Sequence, residues 1–153
     1  MPNSSEPKIE TWVPFLAGSV GSADSETFFV GHSIGCQTII RYLETLPEGT
    51  KIGGAVFVAG WYNLRELETE EEKRIVGPWL NTPRDDEKIR RVVNKAIAIF
   101  SDNDPVVLPE NQESWKQKVG ASIIIEHNKG HLGGRDGVYE LPTALESVLK
   151  LIV

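Results

Sequence analysis

The chain has 153 residues, of which 40% are hydrophobic and 25% are charged, and its formal net charge is −6. This length suits a single domain with a real hydrophobic core. The acidic balance, with no basic cluster beyond Arg90-Arg91, argues against nucleic acid as a partner, and no apolar run reaches the roughly 18 residues of a membrane span.

Apolar runs and helical spacings alternate along the chain. A short helix is predicted within residues 11–20, followed by a strand at residues 27–30 that is buried on both faces. Alternating strands and helices predict an α/β fold in which helices cover both faces of a mostly parallel sheet, with sites at the carboxyl ends of the strands. The remaining strands are predicted at residues 55–59, 96–100 and 122–125, and the remaining helices at 35–46, in parts of 62–92, at 109–119 and at 141–152.

The first motif that carries chemistry follows the first predicted strand. Residues 31–35, Gly-His-Ser-Ile-Gly, fit the G-x-S-x-G pattern between a strand and a helix, which is the context of a nucleophile elbow. Ser33 is the candidate nucleophile. The turn is so tight that side chains at Gly31 and Gly35 are expected to collide with it. The N–H of Ile34, at the positive end of the following helix, is the candidate oxyanion donor.

Two aspartates follow the third predicted strand, in the sequence Ser-Asp-Asn-Asp-Pro at residues 101–105. The acid of a catalytic triad belongs on such a loop, oriented toward a histidine. Asp104 is favoured over Asp102, because Pro105 fixes the backbone after Asp104, whereas Asp102 is free to cap the turn.

A histidine follows the fourth predicted strand. His131 is flanked by glycines that let its loop bend back over the serine, and His127 is a second, less well flanked candidate. The order Ser33, Asp104, His131 is the chain order of nucleophile, acid and base in α/β-hydrolases. No metal is expected at the two histidines, because no third ligand lies at a suitable spacing, and no cofactor is predicted.

The polar segment at residues 61–91, after the second predicted strand, lies where this class of fold inserts a lid, and we call it the lid-like segment. Trp61 and Trp79 of this segment, together with His32, are candidates to line an acyl pocket. The alternative is that the tryptophans fasten a surface helix to the core.

Together the motifs resemble the retinoblastoma-binding protein 9 family of small serine hydrolases. The resemblance implies an α/β-hydrolase that cleaves small acyl esters or amides through an acyl-enzyme on Ser33, with Asp104 as the triad acid. It also implies a protein partner, so the second hypothesis is a catalytically weak or inactive interaction module on a hydrolase scaffold. The resemblance runs through nearly the whole chain and includes residues 12–15, 31–35, 41–45, 101–105 and 130–131.

The resemblance also implies a difference at the amino terminus. The family opens with a strand-helix-strand unit whose His-Gly loop normally supplies a second oxyanion N–H, and this chain begins beyond it. We therefore expect residues 1–153 to form one α/β-hydrolase domain that lacks this first unit. The strand at residues 28–30 then becomes an exposed edge, which predicts a homo-oligomer. A single cysteine, Cys36, and a polar start without a signal sequence predict a cytoplasmic location.

Overall fold

One parallel sheet organises the protein, whose computed structural model describes residues 1–153. The sheet has the strand order β1-β2-β3-β4, and all three pairings are parallel. The strands are β1 (Phe28–His32), β2 (Gly54–Val58), β3 (Ala96–Ser101) and β4 (Ser122–Glu126), and the helices are α1 (Ile9–Val20), α2 (Ile34–Glu44), α3 (Glu70–Asn81), α4 (Asp86–Val92), α5 (Asn111–Val119) and α6 (Pro142–Ile152).

Helices cover both faces of the sheet. On one face α6 packs over β2, and Leu151 of α6 belongs to the same buried cluster as Val56 and Val58. On the other face α2 packs on β1 and α5 packs on β3 and β4, over a larger cluster that includes Ala55 and Phe57. Successive side chains of β2 thus enter opposite cores, as the period of a strand requires. The predicted three-layer α/β-hydrolase-type sandwich is confirmed.

The segment at residues 62–92, predicted to be helical in parts, contains α3 and α4. Thr69 and Glu72 form a capping box at the start of α3, in which each side chain accepts from the other's backbone N–H. Asp85 caps α4 by accepting from the N–H of Lys88. Two local signals inside a highly charged stretch therefore set the helix starts. No helix of the structure combines the length and the apolar character needed to cross a membrane.

β1 lies at the edge of the sheet and pairs only with β2. Phe29 is buried beneath the helices of the larger core, whereas 55% of Val30 is exposed. The predicted exposed edge at residues 28–30 is therefore present in the fold. The prediction that this strand is buried on both faces is wrong, because the face that carries Val30 is left open at the edge of the sheet.

Candidate active site

Ser33 occupies the tight turn between β1 and α2. Its backbone has φ 51° and ψ −119°, in the positive-φ region that non-glycine residues rarely adopt. Its N–H donates to the carbonyl of Val58 at 2.8 Å, and its own carbonyl accepts from Cys36 at 2.9 Å. The turn is thus tied to β2 on one side and to the first turn of α2 on the other.

The two glycines of the elbow are not equivalent. A Cβ added at Gly31 would lie 2.6 Å from Cδ1 of Ile39 and 3.0 Å from the N of Cys36, whereas a Cβ added at Gly35 would meet nothing within 4 Å. The expectation that both glycines are needed for space is therefore correct for Gly31 and wrong for Gly35, because a Cβ at Gly35 would point into open space.

The sheet brings the three predicted residues Ser33, Asp104 and His131 together. Nε2 of His131 lies 2.9 Å from Oγ of Ser33, and Nδ1 of His131 lies 2.9 Å from Oδ2 of Asp104. The three residues follow β1, β3 and β4, whose carboxyl ends share one edge of the parallel sheet. A hydrogen-bonded chain therefore runs from hydroxyl through imidazole to carboxylate.

The Asp104 carboxyl is buried but well supplied with donors. Its Oδ1 accepts from the backbone N–H groups of Val106 and Val107 at 2.8 and 3.0 Å. Burial raises the pKa of Asp104, but the hydrogen bonds from His131, Val107 and Val106 outweigh burial and hold this pKa below its usual value. Asp104 is thus an ionised acceptor for the imidazole N–H at neutral pH.

The competing candidates form a separate pair. Oδ2 of Asp102 lies 2.6 Å from Nδ1 of His127, and Oδ1 of Asp102 accepts from the N–H of Asn128 at 2.9 Å. The Asn128 and His127 bonds lower the pKa of the Asp102 carboxyl. This pair is exposed and makes no hydrogen bond to Ser33 or His131.

An open cavity of about 620 Å³ adjoins Ser33, which is within the usual size range of small-molecule sites. Ile34, the first residue of α2, lies on its wall. The first N–H groups of a helix have no acceptor in their own helix and carry its positive end, which suits an oxyanion. The lining residues are His32, Ser33, Ile34, Pro105, Val106, His131, Gly133, Gly134, Arg135 and Asp136.

The structure corrects the predicted pocket residues in part. His32 lines the cavity as expected, but Trp61 and Trp79 do not. Trp61 is 2% exposed and Trp79 is fully buried, where its Nε1–H donates to the carbonyl of Pro7 at 3.1 Å and its ring packs edge-on against Trp12. The two tryptophans therefore join this segment to the core, as in the alternative interpretation.

One residue of the cavity was missed by the sequence analysis and contacts the histidine directly. Oδ2 of Asp136 accepts from the backbone N–H of His131 at 3.0 Å. Asp136 lies in a 3₁₀ turn at Gly134–Asp136. The available signal was an aspartate within a glycine-rich loop between the histidine and the last helix, since such side chains commonly accept from nearby backbone N–H groups.

Comparison with known proteins identifies the family of this chain. The family described as serine hydrolase matches residues 1–150. The Bacillus subtilis (strain 168) protein YdeN is 27% identical over 142 residues, which are 93% of this chain and 72% of YdeN. The rat serine hydrolase RBBP9 is 24% identical over 149 residues, 97% of this chain and 75% of that protein. The crystal structure of the B. subtilis ydeN gene product superposes with a TM-score of 0.85 at 24% identity, covering 99% of this chain and 78% of that structure. The chain therefore belongs to the serine hydrolase family.

Proposed function

We propose that the protein hydrolyses small acyl esters or amides, with Ser33 as nucleophile, His131 as general base and Asp104 as the acid that orients His131. The observation that carries this proposal is the pair of 2.9 Å contacts joining Ser33 to His131 and His131 to Asp104. The 24% identity to rat RBBP9 supports the finer assignment to the retinoblastoma-binding protein 9 family, and a cytoplasmic location, supported by the single buried Cys36, belongs to the same proposal.

The geometry supports a two-step acyl transfer. Nε2 of His131 takes the proton of the Ser33 hydroxyl as Oγ attacks the acyl carbonyl carbon, and the oxyanion accepts from the N–H of Ile34. The intermediate collapses when His131 gives that proton to the leaving alcohol or amine, which leaves an acyl-enzyme on Ser33. His131 then deprotonates a water molecule that attacks the acyl carbon, and proton return to Oγ releases the acid.

The walls of the cavity support a small acyl group. Pro105, Val106 and Ile34 offer apolar surface next to Ser33, and the glycines at 133 and 134 leave one side open. The four tryptophans of the chain lie in the core and do not line this opening.

Hydrolysis of a short-chain p-nitrophenyl ester and labelling by a fluorophosphonate probe test the proposal. We expect label on Ser33 and, for Ser33→Ala and His131→Ala, a loss of activity of about 10⁴-fold or more. Ser22→Ala, at an exposed serine that makes no side-chain hydrogen bond, is the matched control. Equal hydrolysis by Ser33→Ala, or label on another residue, would refute the proposal.

A second candidate function is a catalytically weak or inactive interaction module. Exposed apolar side chains favour it: Val30 on β1, and Leu145 and Leu149 on α6. Such surface commonly marks a protein interface when it is contiguous. A folded wild type that takes up no probe on Ser33 would favour this alternative over hydrolysis, if the wild type and Ser33→Ala also bind a protein partner equally well.

A further inference from the structure

Every polar group of His131 is engaged, and two of the partners have no role in the proposed chemistry. The ring nitrogens contact Ser33 and Asp104. The backbone N–H donates to Oδ2 of Asp136 at 3.0 Å, and the backbone carbonyl lies 2.7 Å from Nε2 of His32. Because a carbonyl oxygen only accepts, Nε2 of His32 carries the proton in this contact.

The backbone on both sides of His131 is bent into an uncommon conformation. Gly130 has φ 55° and Leu132 has φ 56°, and a leucine in the left-handed region persists only where its surroundings stabilise it. Leu132 is buried in the cluster that contains Val58 and Ile99. The conformation of this loop therefore depends on contacts that stabilise the peptide groups between Gly130 and Leu132.

We propose that Asp136 and His32 are positioning residues that clamp the backbone of His131 from its two sides and so keep its imidazole between Ser33 and Asp104. The inference rests on the proposed function for its catalytic consequence. The clamp itself rests only on the contacts of the His131 peptide groups.

The close approach of Asp136 to His131 depends on the glycine at position 130. A Cβ added at Gly130 would lie 2.4 Å from Oδ1 of Asp136, so only glycine leaves room for the carboxylate beneath this loop. The turn that carries Asp136 is closed by its own N–H, which donates to the carbonyl of Gly133 at 2.9 Å. The carboxylate is thus presented to the His131 N–H by a short closed turn.

His32, the last residue of β1, forms the other side of the clamp. It precedes Ser33 directly, and its ring centroid lies 5.1 Å from that of His131. The loop of His131 is thereby tied to the residue next to the nucleophile. Loss of this tie is expected to affect the distance between Oγ of Ser33 and Nε2 of His131, on which the proton transfer depends.

Amide hydrogen exchange measured by NMR on the ¹⁵N-labelled full chain tests the clamp without any need for activity. We expect the His131 amide to exchange about tenfold faster in Asp136→Ala than in the wild type, because the bonded acceptor is gone. Asp136→Asn keeps an oxygen acceptor and is expected to retain the protection. Equal exchange in the wild type and in Asp136→Ala would overturn the clamp.

Steady-state hydrolysis of a short-chain p-nitrophenyl ester tests the catalytic consequence. Asp136→Ala and His32→Ala are each expected to lower kcat about tenfold, because they disturb the geometry of the histidine. This loss is expected to exceed any rise in KM that comes from their place on the wall of the cavity. Asp136→Asn and His32→Gln, which keep an acceptor and a donor respectively, are expected to recover most of kcat. Glu140→Ala, an exposed acidic residue near the same loop, is the control.

The outcomes separate the clamp from the proposed function. A wild-type chain without hydrolysis would defeat the proposed function, while the exchange of the His131 amide would still decide the clamp. If the wild type is active and the alanine variants keep full kcat, the positioning role is wrong. It is also wrong if kcat falls by no larger a factor than KM rises. Equal losses in the alanine and the conservative variants would overturn it too.

Discussion

At the scale of single residues, the elbow excludes a side chain at Gly31 but not at Gly35. Gly31→Ala places Cβ against Ile39 and the backbone of Cys36, and we expect a loss of about 1–3 kcal/mol in the free energy of unfolding from this overpacking. Gly35→Ala fills open space within α2 and is expected to be neutral or to stabilise by up to about 1 kcal/mol. Urea unfolding of the two variants measures the difference, and similar losses would contradict it.

The Asp104 carboxyl should make stability depend on pH. Its pKa is lowered in the folded chain, while an unfolded aspartate has a pKa of about 3.9. The unfolded state therefore binds more protons between these two values, so the stabilisation is complete above the unfolded pKa and is lost as pH falls through the folded one. We expect the difference in unfolding free energy between the wild type and Asp104→Asn to shrink from pH 6 to pH 2. A difference that stays constant would show that Asp104 does not stabilise the fold through its charge.

At the scale of elements, Arg41 holds the end of α3 against α2. Arg41 is 4% exposed, and its Nη2 donates to the carbonyls of Trp79 and Thr82 at 2.8 and 2.9 Å. Burial lowers the pKa of Arg41, but the two carbonyls at the negative end of α3 suit a cation. Arg41 is therefore one of the buried side chains of α2 that fasten the lid-like segment, together with Gln37, which accepts from Arg84 at 2.9 Å.

Arg41→Met removes both donors and leaves the two carbonyls without this partner. We expect a loss of about 3 kcal/mol in the free energy of unfolding and faster proteolysis near Thr82. Arg41→Lys is not expected to restore full stability, because the ammonium of a lysine is more strongly hydrated than a guanidinium and costs more to bury. Arg91→Met, at an exposed arginine, is the control and should change stability by less than about 0.5 kcal/mol. Wild-type stability in Arg41→Met would contradict the fastening role.

Sequence patterns predict some of these elements and contacts but not others. The strands β2 and β3 were predictable because all of their residues are buried, and a strand buried on both faces is written as an unbroken apolar run. The contact of Ser33, Asp104 and His131 was predictable because parallel strands end at one edge. The burial of Trp79 was not predictable, because the spacing of apolar residues in a helix does not specify which neighbour the apolar face meets. The contact of His32 with His131 joins residues 99 apart in sequence and depends on the path of a loop.

At the scale of the whole molecule, the sheet ends in two edge strands, β1 and β4, of which β1 is the predicted exposed edge. β1 pairs only with β2, so the backbone groups of its outer side have no strand to bond. Leu16, Phe29 and Ile39 line an apolar groove beside this edge. On the other face α6, which contacts β1, exposes Leu145, Leu149 and Ile152. An edge strand flanked by apolar surface favours pairing with another strand.

We expect a second copy of the chain to supply that strand, because the same edge on two molecules can pair about a twofold axis. Light scattering coupled to size exclusion should show a dimer whose fraction rises with concentration. Val30→Lys puts a charge on the exposed residue of the edge and is expected to yield a monomer, whereas Tyr139→Lys, at a residue that is 86% exposed on a loop after β4, should not. A wild type that stays monomeric at all concentrations, or a Val30→Lys dimer, would show that this edge is not used for self-association.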